Sequence, residues 1–320
     1  MHQFEEITFD TPPVMLAAWP GMGNVGLITV DYFRRKIGGK IFAEIDMSPY
    51  FIPDSIVVKD GLAVFPEIPT SVFYYMHNPN LIIFESNAQI SGKDGIAIIK
   101  TILEIAARFN IQRIFTSAAF AQPMSYRDDS KVLGACNTRQ FADFVNQYGV
   151  LPMPDGYIAG LNGLLLGVAA SRKIDASCLL GTIPSYATNL SYPKASREII
   201  KMLQKILRVD IDMAEMDEAI GTTELQMGEI EDRIREFFPA LGEGGGVSED
   251  GEMVEPEHVE DEKVPQYIMD KIEKLFMKAR ADKKNASELK KELDRWKLFS
   301  LYENRFLDLF EDDMRKKSEK

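Results

Sequence analysis

The chain contains very few of the residues on which metal and covalent chemistry usually depend. Its 320 residues include only two cysteines, Cys136 and Cys178, and three histidines. The cysteines form no Cys-x-x-Cys pair, which excludes a disulfide scaffold and a Cys-rich zinc site and favours a reducing compartment. His2 is terminal and His258 lies in an acidic stretch, so we expect no histidine-based triad. We therefore predict no metal site, no cofactor and a cytoplasmic protein.

The chain also lacks an excess of positive charge and any long apolar run. Its 37 Lys and Arg residues stand against 49 Asp and Glu residues, which gives a formal net charge of −12. This acidity argues against general nucleic-acid binding and against attraction to anionic membranes. The longest apolar run, residues 157–170, is interrupted by Asn162 and is too short to span a bilayer. The first ten residues have no signal-peptide pattern. We predict no nucleic-acid partner and no membrane association.

Residues 1–212 alternate short apolar runs with amphipathic segments, which is typical of an α/β domain. Apolar side chains three and four residues apart in residues 95–109 predict a helix. Asp60 and Gly61, between two apolar runs, predict a tight hairpin turn. We expect a mainly parallel sheet flanked by helices. Its predicted strands include residues 14–19, 40–46, 81–86, 113–120 and 177–184.

The composition changes twice after residue 212. Residues 213–238 predict a charged helix, and residues 239–263 are rich in Gly and Glu. The latter stretch predicts a flexible, self-repelling linker or, alternatively, an acidic docking tail. Residues 264–320 predict an amphipathic helical hairpin, which must cover its apolar face on the α/β domain or on another chain. The stripe of its first helix is formed by Ile268, Ile272, Leu275 and Ala279, and that of its second begins with Leu289, Leu293 and Trp296.

The clearest local motif is GMGNVG at residues 21–26, between a predicted strand and a predicted helix. Glu44 and Asp46 follow at the end of the next predicted strand. This is the layout of a dinucleotide fingerprint, in which glycines let the backbone approach a pyrophosphate and an acid binds a ribose. The alternative is a tight strand-to-helix crossover in which the glycines serve packing. The candidate ligand residues are Gly21, Gly23, Asn24, Gly26, Glu44 and Asp46.

A second glycine-rich segment follows at residues 155–167. Gly160, Gly163 and Gly167 are spaced three and four residues apart, so on a helix they form one flat face. One interpretation is a tightly packed core helix. Alternatively, Gly160, Asn162 and Gly163 line a pocket opposite the first loop, because α/β proteins bind ligands at the carboxyl ends of their strands. Weaker candidates for the same crevice are Glu85, Asn87 and Gln89.

Five segments, in this order, resemble the proteasome assembly chaperone family of the chaperone-2 type, with its archaeal and bacterial members. They are WPGMGNVGLITVDYF, KIFAEID, LIIFESNAQ, DGYIAGLNGLLLG and CLLGTIPSY. The resemblance covers about residues 10–212. It implies an α/β fold similar to the nucleoside phosphorylase/hydrolase-like architecture, a tendency to self-associate and no established catalytic residues. The C-terminal hairpin extension lies beyond the matched region.

Two functional hypotheses follow from these observations. The first is a non-enzymatic assembly or chaperone-like protein that acts as a homo-oligomer with a protein partner. The second is an enzyme or binder of a nucleotide-like or other anionic small molecule that uses residues 21–26. The chain ends in Lys317-Ser318-Glu319-Lys320 rather than in the hydrophobic-Tyr-any tail of proteasome-docking chaperones, so we do not expect tail insertion into a proteasome-like particle.

Overall fold

The computed structural model describes residues 1–51, 53, 55–237, 272, 275–276, 278–279 and 286–295. The chain divides into two compact units, residues 1–245 and residues 246–320. The predicted acidic linker at residues 239–263 lies outside the described residues, as does most of the predicted hairpin at residues 264–320.

A nine-stranded sheet forms the centre of the first unit, and a separate two-stranded sheet accompanies it. The strands, in chain order, are β1 (His2–Gln3), β2 (Val14–Ala18), β3 (Lys40–Glu44), β4 (Val57–Lys59), β5 (Leu62–Val64), β6 (Ser71–His77), β7 (Asn80–Ser86), β8 (Arg113–Gln122), β9 (Val132–Cys136), β10 (Leu151–Pro152) and β11 (Asp175–Pro184). The large sheet has the order β1-β3-β6-β7-β2-β8-β11-β9-β10, and β4 pairs only with β5.

The large sheet is mixed, which corrects the prediction of a mainly parallel sheet. Strands β7, β2, β8 and β11 run parallel to one another at its centre. On one side, β6 pairs antiparallel with both β7 and β3, and β3 pairs antiparallel with β1. On the other side, β9 is antiparallel to β11 and parallel to β10. The turn between β6 and β7 contains only two residues, and a connection that short joins antiparallel strands.

Helices cover both faces of the large sheet. They are α1 (Val25–Ile37), α2 (Gly92–Arg108), α3 (Arg139–Asn146), α4 (Leu161–Ser171), α5 (Pro193–Leu207) and α6 (Ala214–Phe237). One core cluster contains residues of α2 and α4, and the other contains residues of α1, α3, α5 and α6. Successive residues of β2 alternate between the clusters, because neighbouring strand side chains point to opposite faces. The result is a three-layer α/β/α arrangement.

The second unit is described in part. Its helix α7 spans Ala286–Arg295, and within it Leu289 and Leu293 are buried. Ile272, Leu275 and Ala279 are helical and buried as well. These five residues belong to the predicted apolar stripes, whereas the loop and the end of the predicted hairpin lie outside the described residues.

Candidate functional site

The first glycine segment forms the turn that connects β2 to α1. Gly21 is exposed and has extended backbone, with φ −170°. Gly23 and Asn24 follow in the left-handed region, with φ values of 60° and 52°. Helix α1 then begins at Val25. The turn therefore lies at the carboxyl end of β2, where the sequence predicts a ligand site.

Three backbone amides of this turn are bonded within the protein. Gly23 donates its N–H to the carbonyl of Thr188 at 2.8 Å, and its own carbonyl accepts the N–H of Tyr192 at 2.8 Å. Asn24 donates to the carbonyl of Gly21 at 3.0 Å. Val25 donates to the carbonyl of Met22. An incoming phosphate would have to displace these bonds, so the turn is not an open cradle of free N–H groups.

Gly26 lets α1 approach β8 closely. A Cβ atom on Gly26 would lie 2.3 Å from the carbonyl oxygen of Ser117, a distance that no real contact tolerates. The first turn of the helix is held further by the Ser196 hydroxyl, which donates to the carbonyl of Val25 at 3.0 Å. Gly26 therefore serves packing, as the crossover alternative predicts.

Asn162, at the start of α4, joins the second glycine segment to the first. Its Oδ1 accepts the backbone N–H of Trp19 at 3.3 Å, and its Nδ2 donates to the Trp19 carbonyl at 3.4 Å. The backbone carbonyl of Asn162 accepts the Thr116 hydroxyl at 2.8 Å. Asn162 is only 3% exposed. It continues the pairing of β2 by one residue and places no free polar group in a crevice.

Gln89 makes a second connection between the same two segments. Its Nε2 donates to the carbonyl of Pro20 at 2.8 Å, and its Oε1 accepts the N–H of Leu161 at 3.1 Å. Gly160 has φ +76°, and a Cβ there would lie 2.8 Å from Gln89 Nε2. A Cβ on Gly163 would lie 2.4 Å from the carbonyl oxygen of Ile158. The structure thus brings both glycine segments together, and they fill the space between them. We name residues 19–26, 89 and 160–163 the glycine joint.

Glu44 and Asp46 do not adjoin the glycine joint. They end and follow β3, which is separated from β2 by β6 and β7. At about 4.8 Å per strand this places them about 14 Å along the sheet from the turn. Asp46 accepts the N–H and the hydroxyl of Ser48 at 3.0 and 2.7 Å, and these bonds lower its pKa. The dinucleotide layout requires the acid on the neighbouring strand, so this geometry does not support a shared ribose site.

The weaker candidate Glu85 faces helix α1. Its Oε1 accepts the Nε of Arg34 at 2.8 Å, and Arg34 also pairs with Asp31 and lies over the ring of Tyr74. Burial raises the pKa of Glu85, and the Arg34 guanidinium opposes that rise. Asn87 accepts the backbone N–H of Thr70 at 2.8 Å. Both polar side chains are therefore used within the fold.

The two cysteines are poor nucleophiles. Burial raises the pKa of Cys178 to about 12. Burial also raises the pKa of Cys136, although its hydrogen bond with Ser177 offsets part of the rise. A thiol reacts as its thiolate, so neither side chain is activated at neutral pH. Among the described residues, no cluster of three or more His, Cys, Asp or Glu side chains is arranged to hold a metal ion.

Two surface cavities lie away from the glycine joint. The larger, about 560 Å³, is lined by residues that include Arg113, Arg139 and Asp175. Arg113 and Asp175 are the first residues of β8 and β11, so this cavity lies at the amino ends of those strands. The second, about 270 Å³, lies between α1, α5 and α6 and includes Tyr32 and Met216. Neither includes a candidate residue from the sequence.

The sequence of the chain matches a known protein family. The sequence model of the PAC2 family matches residues 15–231 of the chain. The chain belongs to the PAC2 family. Both glycine segments and the larger part of α6 fall within the matched range. Among proteins with curated descriptions, none matches this PAC2 chain.

Several solved structures resemble this PAC2 chain. Pyrococcus furiosus PbaB, described as an archaeal proteasome activator, has 23% sequence identity and a TM-score of 0.62, with 72% of this chain and 97% of PbaB covered. P. furiosus PbaA, an archaeal homologue of a proteasome-assembly chaperone, has 19% identity and a TM-score of 0.57, with 73% and 94% covered. A proteasome-assembly chaperone homologue from Mycobacterium tuberculosis has 16% identity and a TM-score of 0.58, with 68% and 94% covered. At identities this low, the likeness to these structures shows a shared fold and nothing more.

Sequence reasoning located the joint but not its bonds. Thr188 and Tyr192, which hold the Gly23 backbone, were not among the predicted site residues. They bond through backbone groups, so no residue type marks them.

No helix in the part of the chain that the structure describes has both the length and the apolar character to cross a bilayer.

Proposed function

We propose that this PAC2 protein is a non-enzymatic assembly factor that acts as a homo-oligomer on a protein partner of the proteasome class. The observation that carries the proposal is the glycine joint, where the amides of Gly23, Asn24 and Val25 are bonded to the protein itself. The names of the relatives, a proteasome activator and proteasome-assembly chaperone homologues, supply the class of partner.

The distribution of chemical groups supports a role in binding rather than in catalysis. The thiols of Cys136 and Cys178 have raised pKa values, and Glu85 is paired with Arg34. Five candidate residues serve the close packing and bonding of the fold: Gly23, Gly26, Gly160, Asn162 and Gly163. We place this function in the cytoplasm, without nucleic acid or membrane, because both cysteines are free and the net charge is −12.

Assembly of proteasome particles tests the proposal directly. Isolated archaeal proteasome subunits are mixed with and without the purified protein, and native mass spectrometry follows the formation of complete particles. We expect faster or more complete assembly and a transient complex that contains the protein. A comparison uses Gly26→Ala, which we expect to destabilise the fold at the joint, and its effect on assembly should fall in proportion to its folded fraction. Unchanged assembly and no complex at any concentration contradict the proposal.

A further inference from the structure

The larger surface cavity, of about 560 Å³, is formed by one helix and the starts of two strands. Its α3 wall includes Gln140, Phe144 and Gln147, which are spaced four and three residues apart and therefore lie on one face of the helix. The cavity also includes Arg113 and Asp175, the first residues of β8 and β11. Its volume is within the range of sites that bind small organic molecules.

Arg113 and Asp175 lie side by side in the sheet. They are register partners in the parallel pair of β8 and β11, and neighbouring strands are about 4.8 Å apart. Opposite charges at such positions can form an ion pair. Here the two side chains form none within 4.0 Å, because each charged group contacts a different neighbour on or beside α3. The cavity therefore contains a cation and an anion that are close together but not paired with each other.

The guanidinium of Arg113 is positioned by an aromatic ring. Its Cζ lies 4.3 Å from the centroid of the Phe144 ring. That ring is stacked on Phe141, with 5.7 Å between centroids, and contacts Tyr148 edge-on at 5.3 Å. Among the residues that the structure describes, no carboxylate lies within 4.0 Å of the Arg113 guanidinium. Stacking on a ring leaves the N–H groups of an arginine for a planar anion such as a carboxylate.

The carboxylate of Asp175 is positioned by the cap of α3. Its Oδ1 accepts the hydroxyl of Thr138 at 2.9 Å, and the oxygen of that hydroxyl accepts the N–H of Phe141 at 3.2 Å. One hydrogen bond uses only part of the acceptor capacity of a carboxylate. No Lys or Arg side chain in the described part of the chain forms an ion pair with Asp175. The carboxylate can therefore accept hydrogen bonds from a cationic group.

The balance of charge in the cavity favours a ligand that carries both signs. The other two charged residues, Arg139 and Asp143, pair with each other at 3.3 Å. A simple anion attracted by Arg113 would be repelled by Asp175 beside it, and a simple cation would meet the reverse. A zwitterion gains from both groups and leaves the cavity neutral.

We propose that this cavity binds a small zwitterion, either a free α-amino acid or a short peptide. Arg113 donates hydrogen bonds to the ligand carboxylate, and Asp175 accepts hydrogen bonds from the ligand ammonium. The proposal goes beyond the proposed function and does not depend on it, because the cavity lies at the amino ends of β8 and β11, away from the glycine joint.

The first experiment titrates the full chain with glycine, diglycine and triglycine in an isothermal calorimeter. Melting temperature is the second readout, in case the heat of binding is small. The three compounds carry the same two charges at increasing separation, since each extended residue adds about 3.5 Å. We expect saturable binding, and the compound that binds most tightly distinguishes a free amino acid from a peptide. Acetylation of its amino group or amidation of its carboxyl group should each weaken binding at least about tenfold.

The second experiment assigns each ligand charge to one side chain. Arg113→Met and Asp175→Asn are close in shape to the wild-type residues, and circular dichroism checks that both variants fold. Each should raise the dissociation constant at least about tenfold. The effect of Arg113→Met should disappear with the amidated ligand, and that of Asp175→Asn with the acetylated ligand. The matched control is Arg108→Met, because Arg108 also lies over a ring, 5.4 Å from the Phe109 centroid, but outside the cavity.

Three outcomes overturn the proposal. The first is no saturable heat and no change in melting temperature with any of the three compounds up to about 10 mM. The second is binding that Arg108→Met weakens as much as Arg113→Met does. The third is binding of inorganic phosphate, abolished by Arg113→Met, without binding of glycine or its peptides, which would identify a plain anion site.

Discussion

The glycine joint and the small hairpin of β4 and β5 use glycine in opposite ways. In the joint, glycines remove side chains so that backbones touch, and the polar groups of Gly23 and Trp19 are bonded internally. In the hairpin, Gly61 only closes a turn, and the large side chains around it are exposed. The joint resembles a ligand site in sequence but not in available groups, whereas the hairpin of β4 and β5 exposes apolar side chains. The two regions therefore differ in the groups that they expose and not in whether they contain a glycine motif.

The largest effect is expected where the joint is tightest. Gly26→Ala places a Cβ 2.3 Å from the Ser117 carbonyl, so α1 must move away from β8. We expect the free energy of unfolding to fall by about 3 kcal/mol or more. Gly167→Ala is the matched control, because nothing lies within 4 Å of its Cβ, and helix propensity should stabilise that variant by about 0.5–1 kcal/mol. Urea denaturation measures both, and equal effects would contradict the tight approach of α1.

A somewhat smaller loss is expected from Asn162→Ala. The substitution leaves the buried N–H and carbonyl of Trp19 without the amide that now bonds both. We expect a loss of about 2 kcal/mol in the free energy of unfolding. Asn80→Ala removes two amide bonds to Thr11 at the surface and should cost less than about 1 kcal/mol. Comparable losses from the two variants would show that the joint does not depend on Asn162.

The elements of the fold could be predicted from the sequence more easily than their arrangement. Strands β2, β7, β8 and β11 and helix α2 lie within a few residues of the predicted segments, since apolar periodicity is a local property. The turn at Asp60 and Gly61 was predicted from two residues. The place of β3 in the sheet was not predicted, because strand order depends on pairing between residues that are far apart in the chain. Consequently Glu44 and Asp46 were grouped with a loop from which three strand spacings separate them.

The bonding of the joint escaped prediction for a related reason. The groups that occupy the Gly23 backbone come from Thr188 and Tyr192, more than 160 positions away in the chain. A glycine motif that binds phosphate and one that packs a crossover have the same local sequence. They differ only in which groups accept hydrogen bonds from the backbone amides of the motif. Those acceptors are brought there by the folding of the chain.

A pH-dependent effect is expected beside the joint, at Glu85. Burial places the pKa of Glu85 above its unfolded value, so the folded state holds that proton more firmly. The resulting stabilisation is fully present below the unfolded pKa and is lost as the pH rises through the raised folded pKa. The free energy of unfolding of the wild-type chain relative to Glu85→Gln should therefore decrease with rising pH in that range. A difference that instead grows with pH would show that Arg34 outweighs burial.

Little effect on the isolated chain is expected from a substitution in the hairpin of β4 and β5. Leu62 is 70% exposed, so Leu62→Ser removes almost no buried contact from a single copy. In dilute solution we expect the free energy of unfolding to change by less than about 0.5 kcal/mol. A large loss in dilute solution would mean that the hairpin packs within one copy.

No effect at all is expected when small anions are added to the protein. A ligand at about a hundred times its dissociation constant stabilises the folded state by about 2.7 kcal/mol, which shifts the melting temperature visibly. ATP, ADP, NAD, nucleosides and phosphate, each with and without magnesium, should give no such shift, because the amides of Gly23, Asn24 and Val25 already have acceptors. Gly21→Arg is the informative variant, since Gly21 is exposed with open space around its Cβ and the fold should survive. A shift that Gly21→Arg abolishes would show that the joint opens to bind an anion, and it would remove the contrast between the joint and the exposed hairpin of β4 and β5.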